Sequence, residues 1–305
     1  YEIHWRDWSS DVCSSDLKTG GVVGLLGSDF KQGLGPALPG QHLVPYGDCA
    51  RCAFAMRPDS CQLHCVEFLR QFIRHNTSGS LAAILVEPIQ GTAGNVIPPD
   101  GWLQAVQAVA REHGALLIVD EMITGWGRSG SLWASGAAGL DPDIITFGKG
   151  VAGGFPVSGL LTRRALAQAE PWSRPSFSSS SYGGNPLAAA AANAATRIII
   201  EERLSDHAQA LGKELLAALQ TLAARHPLIT NVRGRGLLLG FDLLGEDGQP
   251  LSRGRCEQLF FACLRRGLLS QCYAPRVRIN PPLVITRAQA LEGVALLAEA
   301  CAELL

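Results

Sequence analysis

The sequence ALLIVDEMITGWGRSGSLWASGAAGLDPDIITFGK, residues 115–149, decides the fold class of this chain. It contains two short apolar runs, Ala115–Val119 and Ile144–Phe147, and each is closely followed by an ionisable residue, Asp120 or Lys149. Short apolar runs bounded by turn residues are typical of strands buried in a parallel sheet. Because ligands of open α/β sheets bind beyond the carboxyl ends of the strands, we expect both charged groups to face one crevice.

A third apolar run, Leu81–Val86, also ends at an acid, Glu87. Between it and the next strand, Pro98–His113 has the apolar spacing of a helix. Strand, helix and strand in about 40 residues form a βαβ unit. The sequence therefore predicts an α/β fold with a mostly parallel central sheet and flanking helices, and this sheet delivers Glu87, Asp120 and Lys149 to one edge.

The second half of the chain predicts a smaller α/β unit. Asn185 and Pro186 are typical of a helix start, and an alanine-rich helix follows to about Leu204. The serine-rich loop before that helix is a candidate phosphate cradle. Beyond it, a helix pattern, a strand pair and further short elements follow. We predict a partial large domain over residues 18–204 and a C-terminal small domain over residues 205–305.

Composition narrows the class of protein. A formal net charge of −1 in 305 residues gives no electrostatic case for binding nucleic acid or an anionic membrane. No apolar run reaches the roughly 20 residues that a membrane-spanning helix needs. Nine cysteines are an odd number and too sparse for a disulfide scaffold, so we expect a cytoplasmic protein in a reducing environment.

The first seventeen residues, YEIHWRDWSSDVCSSDL, have no helix or strand period. They resemble a translated sequencing adapter, and we expect a non-native or disordered tail over residues 1–17. In that case the native sequence begins near Lys18, part-way through a longer protein.

Four cysteines stand in two close pairs, Cys49 with Cys52 and Cys61 with Cys65. Paired cysteines at short spacing suit tetrahedral Zn²⁺. The spacing of these pairs is irregular, and we favour ordinary buried or loop thiols over a metal site.

Asp120 and Lys149 admit two interpretations. One is a structural salt bridge, although burying two charges often contributes little stability. The other is pyridoxal phosphate, which proteins hold by a lysine bonded to the cofactor aldehyde and an acid on the pyridine nitrogen. The lysine amine and the acid would then act at opposite ends of one cofactor.

The chain resembles the class-III aminotransferases over residues 22–305. The resemblance rests on six ordered motifs with family-like spacing: VEPIQG (86–91), LLIVDEMITGWGR (116–128), PDIITFGKG (142–150), YGGNP (182–186), VRGRGLLLG (232–240) and VRINPPLVIT (277–286). It implies a fold-type-I pyridoxal-phosphate enzyme that moves an amino group between an amino acid or omega-amine and a 2-oxo acid. It also implies a homodimer whose active sites lie at the subunit interface.

The resemblance assigns roles residue by residue. Lys149 matches the lysine that binds the cofactor and transfers protons, and Asp120 matches the acid on the pyridine nitrogen. Met122 matches the residue against the ring face, and Ile123 stands where many members have a glutamine that reaches the phenolic oxygen. Glu87 belongs to the same cofactor-binding edge.

Two further positions complete the predicted site. Ser181 matches a threonine that reaches the cofactor phosphate of the neighbouring subunit. Arg278 matches the arginine that grips a substrate carboxylate, a task suited to its planar fork; the alternative is an exposed arginine at a strand end.

The sequence departs from the family pattern in two places that affect the predicted substrate and the predicted phosphate site. Thr92 replaces the acidic residue that, in ornithine- and 4-aminobutyrate-type members, masks the carboxylate-binding arginine. Nothing in residues 18–81 matches the upstream glycine/serine motif that holds the phosphate, or the aromatic residue that stacks on the ring. The alternatives are a non-catalytic fragment of such an enzyme, or aminomutase or decarboxylase chemistry on the same fold.

Overall fold

The computed structural model describes residues 2–5, 21–27, 33–36, 38–177, 181–245 and 247–304. The strands are β1 (Glu2–Trp5), β2 (Ala83–Val86), β3 (Leu116–Asp120), β4 (Ile144–Phe147), β5 (Gly159–Thr162), β6 (Ile229–Arg235), β7 (Leu238–Leu243), β8 (Gln271–Tyr273) and β9 (Arg276–Ile279). The α-helices are α1 (His64–Asn76), α2 (Trp102–Glu112), α3 (Ala134–Ala137), α4 (Arg164–Ala167), α5 (Pro186–Glu201), α6 (Leu204–Ala223), α7 (Arg253–Arg265) and α8 (Arg287–Leu304). Short 3₁₀ helices cover Val23–Leu25, Cys49–Arg51 and Lys149–Ala152.

The chain divides into two compact units that are not contiguous in sequence. Unit 1 contains residues 1–88, 98–123 and 135–197, and unit 2 contains the remaining segments, 89–97, 124–134 and 198–305. The predicted domain ranges, in contrast, are continuous on each side of residue 204. Three segments that we expected in the large domain, residues 89–97, 124–134 and 198–204, therefore group with the C-terminal part of the chain.

Unit 1 is built on a five-stranded sheet in the order β1-β5-β4-β3-β2. Strands β2, β3 and β4 are parallel, and β5 is antiparallel to both β4 and β1. Four of the five strands consequently point the same way, and the predicted mostly parallel α/β sheet is confirmed. Of the predicted tail, residues 2–5 pair with β5, whereas residues 1 and 6–17 lie outside the described part of the chain.

Helices α1 and α2 bury apolar faces in the core of unit 1, because their apolar residues recur every three or four positions. That core includes Val66 and Ile73 from α1, Val106 and Val109 from α2, and Val119 from β3. The second helix begins later than the predicted Pro98, because Gly101 adopts a left-handed conformation (φ 79°) and caps the helix at Trp102.

A buried carboxylate supports β3 and β4. Asp143, just before β4, accepts hydrogen bonds from the Leu117 backbone N–H (2.8 Å) and from Nη1 of Arg111 on α2 (2.6 Å). Its side chain is 8% exposed. Both bonds go to Oδ2, and Nη1 of Arg163 lies 3.9 Å from Oδ1, so the buried charge is balanced by guanidinium groups.

Unit 2 contains a four-stranded antiparallel sheet in the order β6-β7-β9-β8. Alternation along β7 and β9 sends Leu239, Phe241, Leu243 and Val277 into a core with helices α6, α7 and α8. The opposite face carries polar side chains. Helix α8 begins with a capping box, in which Thr286 and Gln289 bond each other's backbone N–H groups.

Candidate active site

Asp120 is the last residue of β3, and its side chain is held by the chain that follows it. Its Oδ1 accepts a hydrogen bond from the backbone N–H of Met122 at 2.9 Å. Only 9% of the residue is exposed. Aspartate commonly forms this local bond where a chain turns, so the strand ends with its carboxylate in a fixed orientation.

Lys149 follows β4 after one glycine and begins the 3₁₀ helix Lys149–Ala152. Its φ of 48° lies in the left-handed region, which is unusual for a residue with a side chain. Such a conformation costs on the order of 1–3 kcal/mol and is concentrated at functional sites. The residue as a whole is exposed.

The segments after β3 and β4 touch each other. A Cβ on Gly148 would lie 2.8 Å from Sδ of Met122, so the methionine side chain packs directly against the residue before Lys149. The register places Asp120 opposite Thr146. The structure thus brings the predicted acid, the predicted ring-face residue and the predicted lysine together at one edge of the sheet.

Glu87 lies at the same edge, because Val86 pairs with Val119 and the next residues of both strands are therefore level. Glu87 is half-buried, and its backbone carbonyl accepts a hydrogen bond from the Tyr46 hydroxyl at 3.0 Å. Tyr46 in turn packs on Trp102, with ring centroids 4.5 Å apart. Strand β2 therefore ends on a well-supported turn.

The remaining unit 1 residues lie in the loops. Ile123 is half-buried beside Met122, and its side chain offers no hydrogen-bonding atom. Ser181 is exposed in a turn, and residues 178–180 before it lie outside the described part of the chain. Asn185 caps α5 as predicted, since its Oδ1 accepts the N–H groups of Leu187 (2.9 Å) and Ala188 (3.3 Å).

The capping changes the interpretation of the loop as a phosphate cradle. Pro186 has no N–H, and the N–H of Ala189 bonds the Asn185 carbonyl at 3.0 Å. All first-turn donors of α5 are therefore already engaged within the helix terminus. The hydroxyl of Ser181 is a better candidate phosphate ligand than the helix end.

Arg278 lies on β9 in unit 2 and is 9% exposed, which contradicts the alternative of an exposed arginine at a strand end. Its Nη2 donates to Oε1 of Gln271 on the neighbouring strand β8, at 2.7 Å. The sequence did not single out Gln271, because only the pairing of β8 with β9 places it opposite the arginine.

The four clustered cysteines line one cleft in unit 1 and are all free thiols. Burial raises the pKa of Cys49, and nearby Cys61, Cys65 and Cys52 raise it further. Across the described residues, no three His, Cys, Asp or Glu side chains are grouped so that they could hold a metal ion.

The described helices include none that combines the length and apolar content needed to cross a bilayer.

Comparison with known proteins decides the family. The family model of class-III aminotransferases matches residues 18–301. This chain belongs to the class-III aminotransferases. The predicted resemblance is thus confirmed over nearly the whole sequence, and the α/β architecture is that of the family's fold-type-I members.

Curated proteins similar to this chain include an aminotransferase and a racemase. The chain is 38% identical to an ornithine aminotransferase of Bacillus subtilis over 85% of this chain and 56% of that protein. It is 35% identical to a leucine/methionine racemase of Thermococcus litoralis, over 93% of this chain and 65% of that protein. The chain therefore spans about three-fifths of the length of these curated relatives.

Solved structures agree with this assignment. A PLP-bound amine transaminase from an uncultivated Pseudomonas species superposes with a TM-score of 0.88 at 31% identity, covering 93% of this chain and 67% of that one. An (S)-enantioselective omega-transaminase from Thermomicrobium roseum gives a TM-score of 0.86 at 32% identity, covering 94% and 66%.

Proposed function

We propose that this class-III chain belongs to a pyridoxal-phosphate-dependent transaminase, which moves an amino group between an amino acid or omega-amine and a 2-oxo acid. The observation that carries the proposal is the convergence of Asp120, Met122 and Lys149 beyond two adjacent parallel strands. An acid and a primary amine at one sheet edge are the groups needed at the two ends of that cofactor.

The residues present fit the cofactor's ring. The Asp120 carboxylate is nearly buried and held by a backbone N–H, so it is suited to face a protonated pyridine nitrogen. Met122 supplies an apolar surface for a ring face, next to Gly148. Ile123 cannot donate a hydrogen bond to a phenolic oxygen, so another group would have to do so.

When bound, pyridoxal phosphate supplies an electron-withdrawing ring that stabilises negative charge on the substrate carbon. Lys149 would bind the cofactor aldehyde through Nζ. The same amine would accept the proton from the amine-bearing carbon of the substrate and later return a proton. Asp120 would hold its negative charge opposite the ring nitrogen throughout.

Arg278 would bind the substrate carboxylate through its guanidinium fork. Because Thr92 lacks a carboxylate, it cannot mask that arginine in the way that the acidic family residue does. Carboxylate-bearing donors and acceptors are therefore the favoured substrates.

Ser181 would contribute a hydroxyl to the cofactor phosphate of a second subunit in a homodimer. Glu87 would complete the cofactor-binding edge beside Asp120. The seven cysteines whose state is described are free, which supports a reducing, cytoplasmic location.

The test is the visible absorbance of the lysine-bound cofactor after pyridoxal phosphate is added to the purified chain. Lys149→Ala should abolish this band, whereas Lys213→Ala, at an exposed position of helix α6, should leave it unchanged. Asp120→Asn should weaken cofactor binding and lower turnover. Absence of any band in the wild-type chain would favour the non-catalytic fragment, and a band that survives Lys149→Ala would overturn the assignment of this lysine.

A substrate survey separates the possible reactions. Amino transfer to pyruvate or 2-oxoglutarate supports transamination, and transfer to neither would favour aminomutase or decarboxylase chemistry. Racemisation is a second candidate, because a leucine/methionine racemase is among the relatives. It predicts that a single enantiomer of leucine or methionine loses its optical purity without any 2-oxo acid present.

A further inference from the structure

The polar face of the unit 2 sheet carries three arginines and one buried carboxylate. Arg233 on β6 pairs in register with Gly240, which pairs with Arg278 on β9, and Arg276 lies opposite Asp242. These cross-strand relations place the three guanidinium groups and the acid on one face.

Arg233 and Arg276 each contact the segment 89–97 and the carboxylate of Asp242. Arg233 donates from Nη2 to the Gly94 carbonyl at 2.6 Å and lies 2.9 Å from Oδ1 of Asp242. Arg276 donates to the Ala93 carbonyl and lies 3.9 Å from the same carboxylate. Both side chains thus fix the segment 89–97 on the sheet of unit 2, and Asp242 balances part of their charge.

Arg278 has a partner of a different kind. Its 2.7 Å hydrogen bond goes to the side-chain amide of Gln271, which is neutral. A carboxylate in that place would hold the guanidinium equally well, but it would also cancel its charge and compete with an anionic ligand. A neutral amide restricts the orientation of the fork and leaves its positive charge intact.

We propose that Gln271 is a positioning residue for Arg278, which presents the guanidinium to a substrate carboxylate without neutralising it. The proposal rests on the proposed function, in which Arg278 binds the carboxylate of the amino donor or 2-oxo acid. Gln271 is exposed on β8, so its replacement leaves the core of the unit untouched. Its effect should therefore be confined to substrates that carry a carboxylate.

The experiment compares Gln271→Leu and Gln271→Glu in the pyridoxal-phosphate-loaded protein. Gln249→Glu is the matched control, because Gln249 is also exposed in unit 2 and lies in the turn after β7, where its backbone N–H donates to Asp247. Binding of 2-oxoglutarate is measured by calorimetry, and turnover is measured with alanine and with benzylamine as donors at an acceptor concentration that saturates each variant. Benzylamine has no carboxylate and reports any general damage.

Loss of one hydrogen bond to a charged group should weaken 2-oxoglutarate binding about 3- to 10-fold in Gln271→Leu. Gln271→Glu should weaken it more than about tenfold, because the new carboxylate competes for Arg278. The KM for alanine should rise in both variants, while kcat with saturating benzylamine and all values for Gln249→Glu remain at the wild-type level.

Two results distinguish the failure of this inference from failure of the proposed function. If Arg278→Leu abolishes 2-oxoglutarate binding but both Gln271 variants bind like Gln249→Glu, the positioning role is wrong and the proposed function stands. If 2-oxoglutarate binds equally well to wild type and to Arg278→Leu, or binds to neither, the carboxylate role of Arg278 fails and the inference falls with it. Equal losses with alanine and benzylamine would mean that Gln271 is merely structural.

Discussion

Replacing Gly212 by alanine should destabilise the protein although alanine is the better helix former. Gly212 lies inside α6, where glycine costs about 1 kcal/mol relative to alanine. A Cβ at this position would lie 2.1 Å from the carbonyl oxygen and 2.5 Å from the carbonyl carbon of Gly236. Gly236 itself has a φ of 57° and lies between β6 and β7, so the contact is with backbone that cannot rotate away.

The size of the effect follows from two opposing contributions. Overpacking a well-filled site costs typically about 1–3 kcal/mol, and a contact with rigid backbone belongs at the upper end of that range. The gain in helix propensity offsets about 1 kcal/mol of this cost. We therefore expect Gly212→Ala to lower the free energy of unfolding by about 2 kcal/mol.

The matched control is Gly293→Ala in the interior of α8. There a Cβ would lie 3.7 Å from Cδ1 of Leu268, which is an ordinary van der Waals contact. This variant receives the same propensity gain without the clash, so its unfolding free energy should rise by about 1 kcal/mol. Urea denaturation of both variants measures the difference, which isolates the steric cost at about 3 kcal/mol. Equal changes in the two variants would refute the packing of α6 on the β6–β7 turn.

Three further predictions test other parts of the fold. Asp143→Ala removes an ion pair and leaves the buried Leu117 N–H without its acceptor, so the unfolding free energy measured in urea should fall by about 2–3 kcal/mol. The control, Asp141→Ala, removes an exposed carboxylate and should lower the unfolding free energy by less than about 1 kcal/mol. Asn185→Ala removes the cap of α5 and should cost about 1 kcal/mol by urea denaturation, whereas Asn185→Ser should retain most of the stability. Burial raises the pKa of the Cys301 thiol to about 12, whereas the unfolded thiol ionises near 9.0. The neutral buried thiol therefore contributes its full stability below pH 9, and this contribution is lost between pH 9 and about 12. Over that pH range Cys301→Ala should lose less stability than wild type.

Each of these predictions has a clear contrary result. Equal losses at the buried and exposed aspartates would mean that the strand-supporting carboxylate is not buried as the structure has it. If Asn185→Ala has the same free energy of unfolding as wild type, the Asn185 side chain does not stabilise the start of α5. Parallel stability curves from pH 8 to about pH 12 for wild type and the cysteine variant would contradict the buried thiol.

The strands of unit 1 could be predicted closely because their signal is local. The run Ile144–Phe147 forms β4 with unchanged bounds, and Leu116–Asp120 differs by one residue from its predicted run. Apolar runs of this length, bounded by turn residues, specify buried strands without reference to the rest of the chain. The C-terminal end of the helix before β3 was also predicted from local signals. Its N-terminal end lies later than predicted, because Gly101 adopts a left-handed conformation.

Side-chain environments were harder to predict because they depend on register. The motifs around Lys149 did not indicate its exposure, and of the two interpretations left open for Arg278 the structure contradicts the exposed one. The sequence could have indicated that the N–H groups at the start of α5 are already bonded. Asn185 caps the helix and Pro186 has no N–H, so few donors remain for an anion.

By itself the sequence determined that an acid and a lysine stand at the ends of neighbouring strands, and that the surrounding motifs are those of class-III aminotransferases. Both features can be identified from short segments of sequence, because neither depends on contacts between residues that are far apart in the chain. Only the tertiary structure decided that Met122 packs on Gly148 and that the Gln271 side chain accepts a hydrogen bond from Arg278. Such pairings depend on strand register and on contacts between segments far apart in sequence, and local periodicity does not encode either.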